Sequence, residues 1–210
     1  IYEEFGTNVG HTQSLTHGDV DAAFQSAERV VKLRVVNQRV LPVAMETRGA
    51  LADWRAGRPG DDGELTLWTS TQVPHAIKTK LAILLGVSEN KVRVIAPEVG
   101  GGFGVKISSY QEDMICAAIA WRLKRPVKWT ESRSEHLATP HHGRAHIAEV
   151  SLAAQKDGTV TAVKLRLLAD LGAYPRDAAI PLLCGWLMNG IYRFDTVDIE
   201  IKSVYTNSMA

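Results

Sequence analysis

Cysteine is scarce in this sequence: Cys116 and Cys184 are the only two among 210 residues. They stand far apart in apolar surroundings. The clustered thiolates that a zinc or iron–sulfur site requires are therefore excluded. Both are expected to be buried free thiols, and so low a count suits a reducing cytoplasm. An excess of charge is also missing. The formal net charge of +1 gives no global electrostatic case for nucleic acid or an anionic membrane. No stretch approaches the ~20 uninterrupted apolar residues of a membrane-spanning helix. The first residues, "IYEEFGTNVG", are acidic where a secretory signal is basic and then apolar. They also lack a starting Met, so a processed chain or a piece of a longer one is expected. Internal repeats, low-complexity tracts and obvious linkers are absent.

What is present fits a soluble globular protein with a sizeable core, at 45% hydrophobic and 22% charged residues. The length allows one large domain or two small ones. In "HGDVDAAFQSAERV", Asp19 can cap a short helix with Val20, Ala23 and Phe24 on one face. "RVVKLRVVNQRV" is β-branched and reads as a strand. Strand-like segments continue from Leu41 to Trp54 around "METRG". "RAGRPGDDGE" is an exposed turn before the alternating strand "LTLWTST". Pro74 opens a helix with Ile77, Leu81, Leu84 and Leu85 at helical spacing, and Gly86 can end it. "KVRVIAP" is a strand, Ser109 to Leu123 a helix, and "PVKWTES" a strand. Met114, Ile115, Ala118, Ile119 and Trp121 are expected to supply most of the apolar surface of that second helix. "HGRAHIAEVSLAAQKDGTVTAVKLRLLADLGAY" reads as a hairpin turning at "KDG". "IPLLCGWLMNGIYRF" is expected to be buried, and "VDIEIKSVYTN" to be a strand. The mixture gives an α+β (mixed α/β) class.

One loop demands a separate account. "VIAPEVGGGFGVK" places four glycines and Phe103 in the five positions from Gly100 to Gly104. It is not a P-loop, because Lys106 follows Val105 and Ile107 replaces the hydroxyl residue. The dinucleotide fingerprint fails at Val105 and Ile107. The ingredients of a ligand site remain: a strand, backbone able to approach a ligand, and a helix N-terminus. A tight strand-to-helix turn packed on the core satisfies the same residues. "TSTQVPH" adds a second polar strand end, where a buried Gln72 needs partners for both halves of its amide. Ligands collect at such carboxyl ends of strands in α/β sheets.

Other polar residues have simpler readings. Glu46 in "METRG" is expected to pair with Arg48 as a structural ion pair. His136, His141, His142 and His146 match no firm zinc spacing and are expected at the surface or a hairpin edge. Lys124, Arg125, Lys128 and Arg133 form a small basic face. The five tryptophans read as core or interface anchors.

"LWTSTQVPH", "LAILLGVSENKVRVIAPEVGGGFGVK", "RPVKWTESRSEHL" and "VKLRLLADLGAY" resemble, in order and spacing, a known family. It is the molybdenum-binding large subunit of the xanthine dehydrogenase / aldehyde oxidase family. The likeness is strongest to aerobic carbon monoxide dehydrogenase-type large subunits. "GDVDAAF", "RVVNQRV" and "METRGAL" extend it upstream, so it covers essentially the whole chain. The ordered set carries the likeness; no single piece does.

The resemblance implies a molybdopterin-dependent oxidoreductase subunit that hydroxylates aldehydes or N-heterocycles or oxidises CO. The cofactor implied is molybdopterin, as its cytosine dinucleotide. Residues 1–210 would be the first part of the cofactor-binding region. Gln72 matches the glutamine whose amide meets a molybdenum oxo group, and Gly101, Gly102, Phe103 and Gly104 match the loop approaching metal and pterin. Gln72 and Phe103 are the implied catalytic residues; no side chain is expected to ligate the metal. Electrons would pass to an iron–sulfur subunit and an FAD-binding subunit, in a cytoplasmic dimer of heterotrimers. Purine-oxidising members carry a substrate-binding glutamate where Ile107 stands, which points away from purines. The family's second cofactor-binding half and its glutamate base lie downstream of "VYTN", so the chain alone is expected not to turn over. Two other readings stay open. One is a non-catalytic binding or assembly module on the same fold; the other is a nucleotide-dependent enzyme.

Overall fold

The computed structural model describes residues 3–61, 63–174 and 179–209. The chain divides into two compact units, Leu41–His141 and the remainder, Ile1–Val40 with His142–Ala210. Both mix strands and helices, as the α+β class requires.

The Leu41–His141 unit is a four-stranded sheet carrying two main helices. Its strands are β3 (Gly49–Arg55), β4 (Glu64–Thr69), β5 (Val92–Ile95) and β6 (Val127–Thr130), in the order β5-β4-β3-β6. β4 and β5 run parallel, so a crossover must join them. Helix α2 (Pro74–Leu85) is that crossover, with Pro74 in its first turn and Gly86 as its left-handed cap. The pleat turns Ala50, Ala52, Leu65 and Leu67 to one face, where Ile77, Leu81 and Ala82 of α2 meet them. Helix α3 (Gln111–Leu123) follows, and short helix α4 (Arg133–Ala138) comes after β6.

Helix α3 differs from expectation in which face it buries. Cys116, Ala117 and Ala120 face the sheet, whereas Ile115 and Ile119 are exposed. Met114 and Trp121 pack only at the margin of the core. Small residues at i, i+1 and i+4 let the helix axis approach the strands closely, and bulky ones would hold it off. Leu84 of α2 is likewise exposed, because Ala82 takes the inward position.

The other unit is a five-stranded sheet ordered β1-β9-β8-β7-β2. These are β1 (Val9–His17), β2 (Arg29–Asn37), β7 (His146–Ala154), β8 (Val160–Gly172) and β9 (Val197–Tyr205). β7 and β8 form the expected hairpin, with Gly158 at φ +93° in its turn. Asp19 caps α1 (Val20–Gln25) by accepting the Ala22 N–H at 3.0 Å. α5 (Ala179–Trp186) lies on β9, and a Cβ at Gly185 would fall 2.0 Å from Ile201.

Several expectations are corrected. "IPLLCGWLMNGIYRF" is not buried: Ile180, Leu183, Trp186, Leu187, Ile191 and Tyr192 are exposed, since α5 meets the sheet on only one side. Cys184, on that helix, is therefore exposed too, while Cys116 is buried. Residues 41–48 form no strand and bend at Met45 and Glu46. Strand β1 escaped the reading because "VGHTQSLTH" shows no apolar alternation; it is a polar edge strand held by β9. Helix α4 was legible in principle, since Ser132 and Glu135 form a full capping box. Asp62 of the turn "RAGRPGDDGE" lies outside the described residues. No helix among the described residues is long and apolar enough to cross a membrane.

Leu81 is fully buried between α2 and the sheet. Leu81→Ala should cost about 2–5 kcal/mol, read as a lower urea midpoint.

Candidate functional site

Two strand ends meet in the Leu41–His141 unit, as the sequence suggested. Beyond β4, Ser70, Thr71 and Gln72 lead into α2; beyond β5 comes the glycine loop. The loop is tied to the first strand end through Gln72. Its side-chain Oε1 accepts the N–H groups of Gly104 (3.1 Å) and Lys106 (3.2 Å), and its own N–H donates to the Lys106 carbonyl at 2.9 Å. These two bonds identify which end of the amide is oxygen. The Nε2 group then faces away from them, without a partner among the described residues. Gln72 is exposed rather than buried, because Gly104 and Lys106 satisfy only one edge of its amide.

The glycines at 100 and 102 are required by distance. A Cβ at Gly102 would lie 2.5 Å from Gln72 Oε1, and one at Gly100 would lie 2.6 Å from the Glu46 Cβ. Phe103 holds a left-handed φ of 50° and is 73% exposed. For a residue with a Cβ this conformation costs about 1–2 kcal/mol. Its ring edge leans over Gly101, where a Cβ would lie 2.8 Å from Cε2.

Most loop N–H groups are spent internally or on side chains. Gly101 bonds Val99, Val105 bonds Gly102, and Ile107 bonds Gly104. Gly102 and Phe103 N–H have no partner among the described residues. With Gln72 Nε2 they make three free donors on one framework. The helix N-terminus is not part of this set. α3 begins only at Gln111, and its first turn holds the acids Glu112 and Asp113.

Glu46 is the second anchor, and its partner is Lys106, not Arg48. Glu46 Oε2 accepts from Lys106 Nζ (2.8 Å), Ser70 Oγ (2.7 Å) and the Gly100 N–H (2.8 Å). Burial works against its charge, but the bonds from Lys106, Ser70 and Gly100 outweigh it and hold its carboxyl below the ordinary value. The bend at Met45–Glu46 directs Glu46 and Arg48 to different partners. Arg48 is itself buried and donates to Glu131 at 2.6 and 2.9 Å and to Glu112 at 3.0 Å. Its guanidinium lies 3.7 Å over the Tyr110 ring. His136 is buried as well, against the surface expectation, with Nδ1 2.8 Å from Glu131. His141 stacks on Tyr110, and Lys124 of the basic face sits over Trp54 and Trp121.

Comparison with known proteins decides what this framework belongs to. The molybdopterin cofactor-binding domain model matches residues 1–210. This chain belongs to the molybdopterin cofactor-binding domain family. It is 41% identical over 205 residues to the nicotine 6-hydroxylase large subunit of Paenarthrobacter nicotinovorans, covering 95% of this chain and 25% of that one. It is 38% identical over 191 residues to the carbon monoxide dehydrogenase large chain of Afipia carboxidovorans, covering 89% and 23%. The crystal structure of quinoline 2-oxidoreductase from Pseudomonas putida 86 superposes with a TM-score of 0.86 at 32% identity, covering 96% of this chain and 26% of that one. The chain thus spans about a quarter of the length of these two curated relatives.

A molybdopterin-binding domain needs exposed donors for an oxo- and phosphate-bearing group, on backbone a ligand can approach. Gln72 Nε2 and the N–H groups of Gly102 and Phe103 fit that need. Glu46, Ser70, Lys106 and Arg48 were missed as parts of the framework. No local signal was available for the Glu46–Lys106 pair, since Arg48 stands two positions from Glu46 and Lys106 stands 60 positions away.

Glu131 is fully buried, and burial opposes its charge. Bonds from the Arg48 side chain, the Arg48 N–H and His136 win, so its carboxyl sits below 4.5. A depressed carboxyl contributes stability that is present above its unfolded value and lost as pH falls through its folded one. Glu131→Gln should cost about 3–5 kcal/mol at neutral pH, by leaving a buried guanidinium with only the partly exposed Glu112 as counter-charge. In urea titrations, the gap between wild type and Glu131→Gln should narrow as pH drops below about 4.5.

Proposed function

We propose that residues 1–210 form the first part of the molybdenum-cofactor-binding region of an oxidoreductase large subunit. Its reaction is the hydroxylation of aldehydes or N-heterocycles, or the oxidation of CO. The observation that carries this is the set of three unspent donors on Gln72, Gly102 and Phe103, in a chain of the molybdopterin cofactor-binding domain family. The relatives' names, nicotine 6-hydroxylase and carbon monoxide dehydrogenase, set the range of substrates.

The bound cofactor supplies the redox chemistry, a two-electron oxidation that takes its oxygen from water. This chain's residues bind and orient. Gln72 Nε2 would donate to an oxo group of the bound centre, in the orientation fixed by Gly104 and Lys106. Gly101, Gly102 and Gly104 would let the backbone approach the group, and Gly102 and Phe103 would offer it their N–H groups. Phe103 presents an exposed ring that excludes water from the substrate side. Ile107 stands where a purine-binding carboxylate is needed, so purines are disfavoured. The proposed cofactor is the cytosine dinucleotide form of molybdopterin. The proposed assembly adds an iron–sulfur and an FAD-binding partner subunit, as a dimer of heterotrimers in the cytoplasm.

Gln72→Glu keeps the acceptor that holds Gly104 and Lys106 and removes only the donor aimed at the centre. In the cofactor-loaded large subunit it should lower kcat by roughly 10²–10³-fold, or release molybdenum, read as the metal-to-protein ratio. Unchanged turnover and unchanged molybdenum would favour a non-catalytic assembly module on the same fold.

A further inference from the structure

Glycine-rich backbone has little of its own to hold it, and ordering it is entropically expensive. The loop from Gly100 to Gly104 has two ends, and a different side chain meets each one. Glu46 grips the first end in both directions. Its Oε2 accepts the Gly100 N–H at 2.8 Å, and its own N–H donates to the Gly100 carbonyl at 3.2 Å. Gln72 grips the second end through Gly104 and Lys106. One residue touches both grips. The Lys106 backbone exchanges hydrogen bonds with Gln72, and its carbonyl also accepts from Thr71 Oγ1 at 3.3 Å. Its side chain is fully buried and ends on Glu46 at 2.8 Å.

A buried ammonium needs a counter-charge, and Glu46 is the one that Lys106 has among the described residues. Glu46 is only partly buried, with a side chain 40% exposed. Without the cation, its carboxylate gains by turning into water, and turning releases Gly100.

We infer that Lys106 and Glu46 form a latch across the base of the glycine loop, and that this latch positions the Gly102 and Phe103 donors and the Gln72 amide for the cofactor. The inference rests on the reading of those donors as a cofactor site. Both residues are positioning residues that act through the loop backbone.

The test compares Lys106→Met with Lys106→Arg, which keeps the cation, and with Leu65→Ala. Leu65 is fully buried and stands at the opposite end of β4 from Gln72. Hydrogen exchange is followed by mass spectrometry on peptides spanning residues 96–110 of the cofactor-free protein. The molybdenum-to-protein ratio is measured on the cofactor-loaded large subunit. Lys106→Met should speed loop exchange by about tenfold or more, the scale of one lost charge-assisted bond. Its molybdenum ratio should fall at least about threefold, the order of a modest loss in binding free energy. Lys106→Arg should restore both. Leu65→Ala should lower the melting temperature and move neither readout. Glu46→Gln keeps an acceptor for Gly100 and removes only the charge, and should behave as Lys106→Met does. Wild-type exchange in Lys106→Met overturns the latch, as does equal loss of molybdenum in Leu65→Ala. If wild type retains no molybdenum, the cofactor reading fails, and the exchange rates alone decide whether the latch exists.

Discussion

Two N–H groups, on Gly104 and Lys106, converge on the single amide oxygen of Gln72. The candidate site follows from that convergence. A side chain on the strand end beyond β4 holds the loop that follows β5. The parallel pairing of β4 and β5 puts these two strand ends side by side. The amide binds the loop through its oxygen edge and leaves Nε2 without a partner among the described residues, so holding the loop and freeing a donor are one geometric fact. A carboxylate at this position would hold the loop equally well and offer no donor.

Charge plays a supporting part. The Leu41–His141 unit buries two cations, Lys106 and Arg48, and each has a carboxylate within 2.8 Å. Such pairs give little net stability against apolar replacements, because both charges must be dehydrated. Their contribution is geometric. Arg48 is fixed on two faces, by Glu131 and Glu112 in its plane and by the Tyr110 ring beneath it. Tyr110 in turn donates its hydroxyl to the Val105 carbonyl at 2.5 Å, so the loop is braced from its far side as well.

The elements that carry strong local signals were legible in the sequence. Asp19 before an apolar turn, Pro74 and Gly86 bracketing α2, and the "KDG" turn each specify a backbone conformation within a few residues. Partners chosen by tertiary proximity were not legible. Nothing local tells Glu46 to pair with Lys106, 60 positions away, in place of Arg48, two positions away. The inward face of α3 misled for a related reason. Hydrophobic size favoured Ile115 and Ile119, but close helix–sheet contact selected Ala117 and Ala120. β1 has no pattern of its own and exists through its ladder with β9. At the site, the failed phosphate fingerprints disfavour a nucleotide ligand without closing that reading. The positive reading of Gln72 and Gly101 to Gly104 came from the ordered set of motifs, and the hydrogen bonds show that Gln72 and the loop are joined.

Phe103 carries a consequence for how this loop tolerates change. Its backbone is held where only glycine is comfortable, so the ring's direction is set by main-chain torsion rather than by packing around the side chain. Glycine there would relieve about 1 kcal/mol of strain and shed an exposed apolar surface. Thermal robustness and the ligand shaping proposed for Phe103 therefore pull this position in opposite directions. A library sorted only for heat resistance would convert Phe103 to glycine early, and would discard the largest side chain the loop displays.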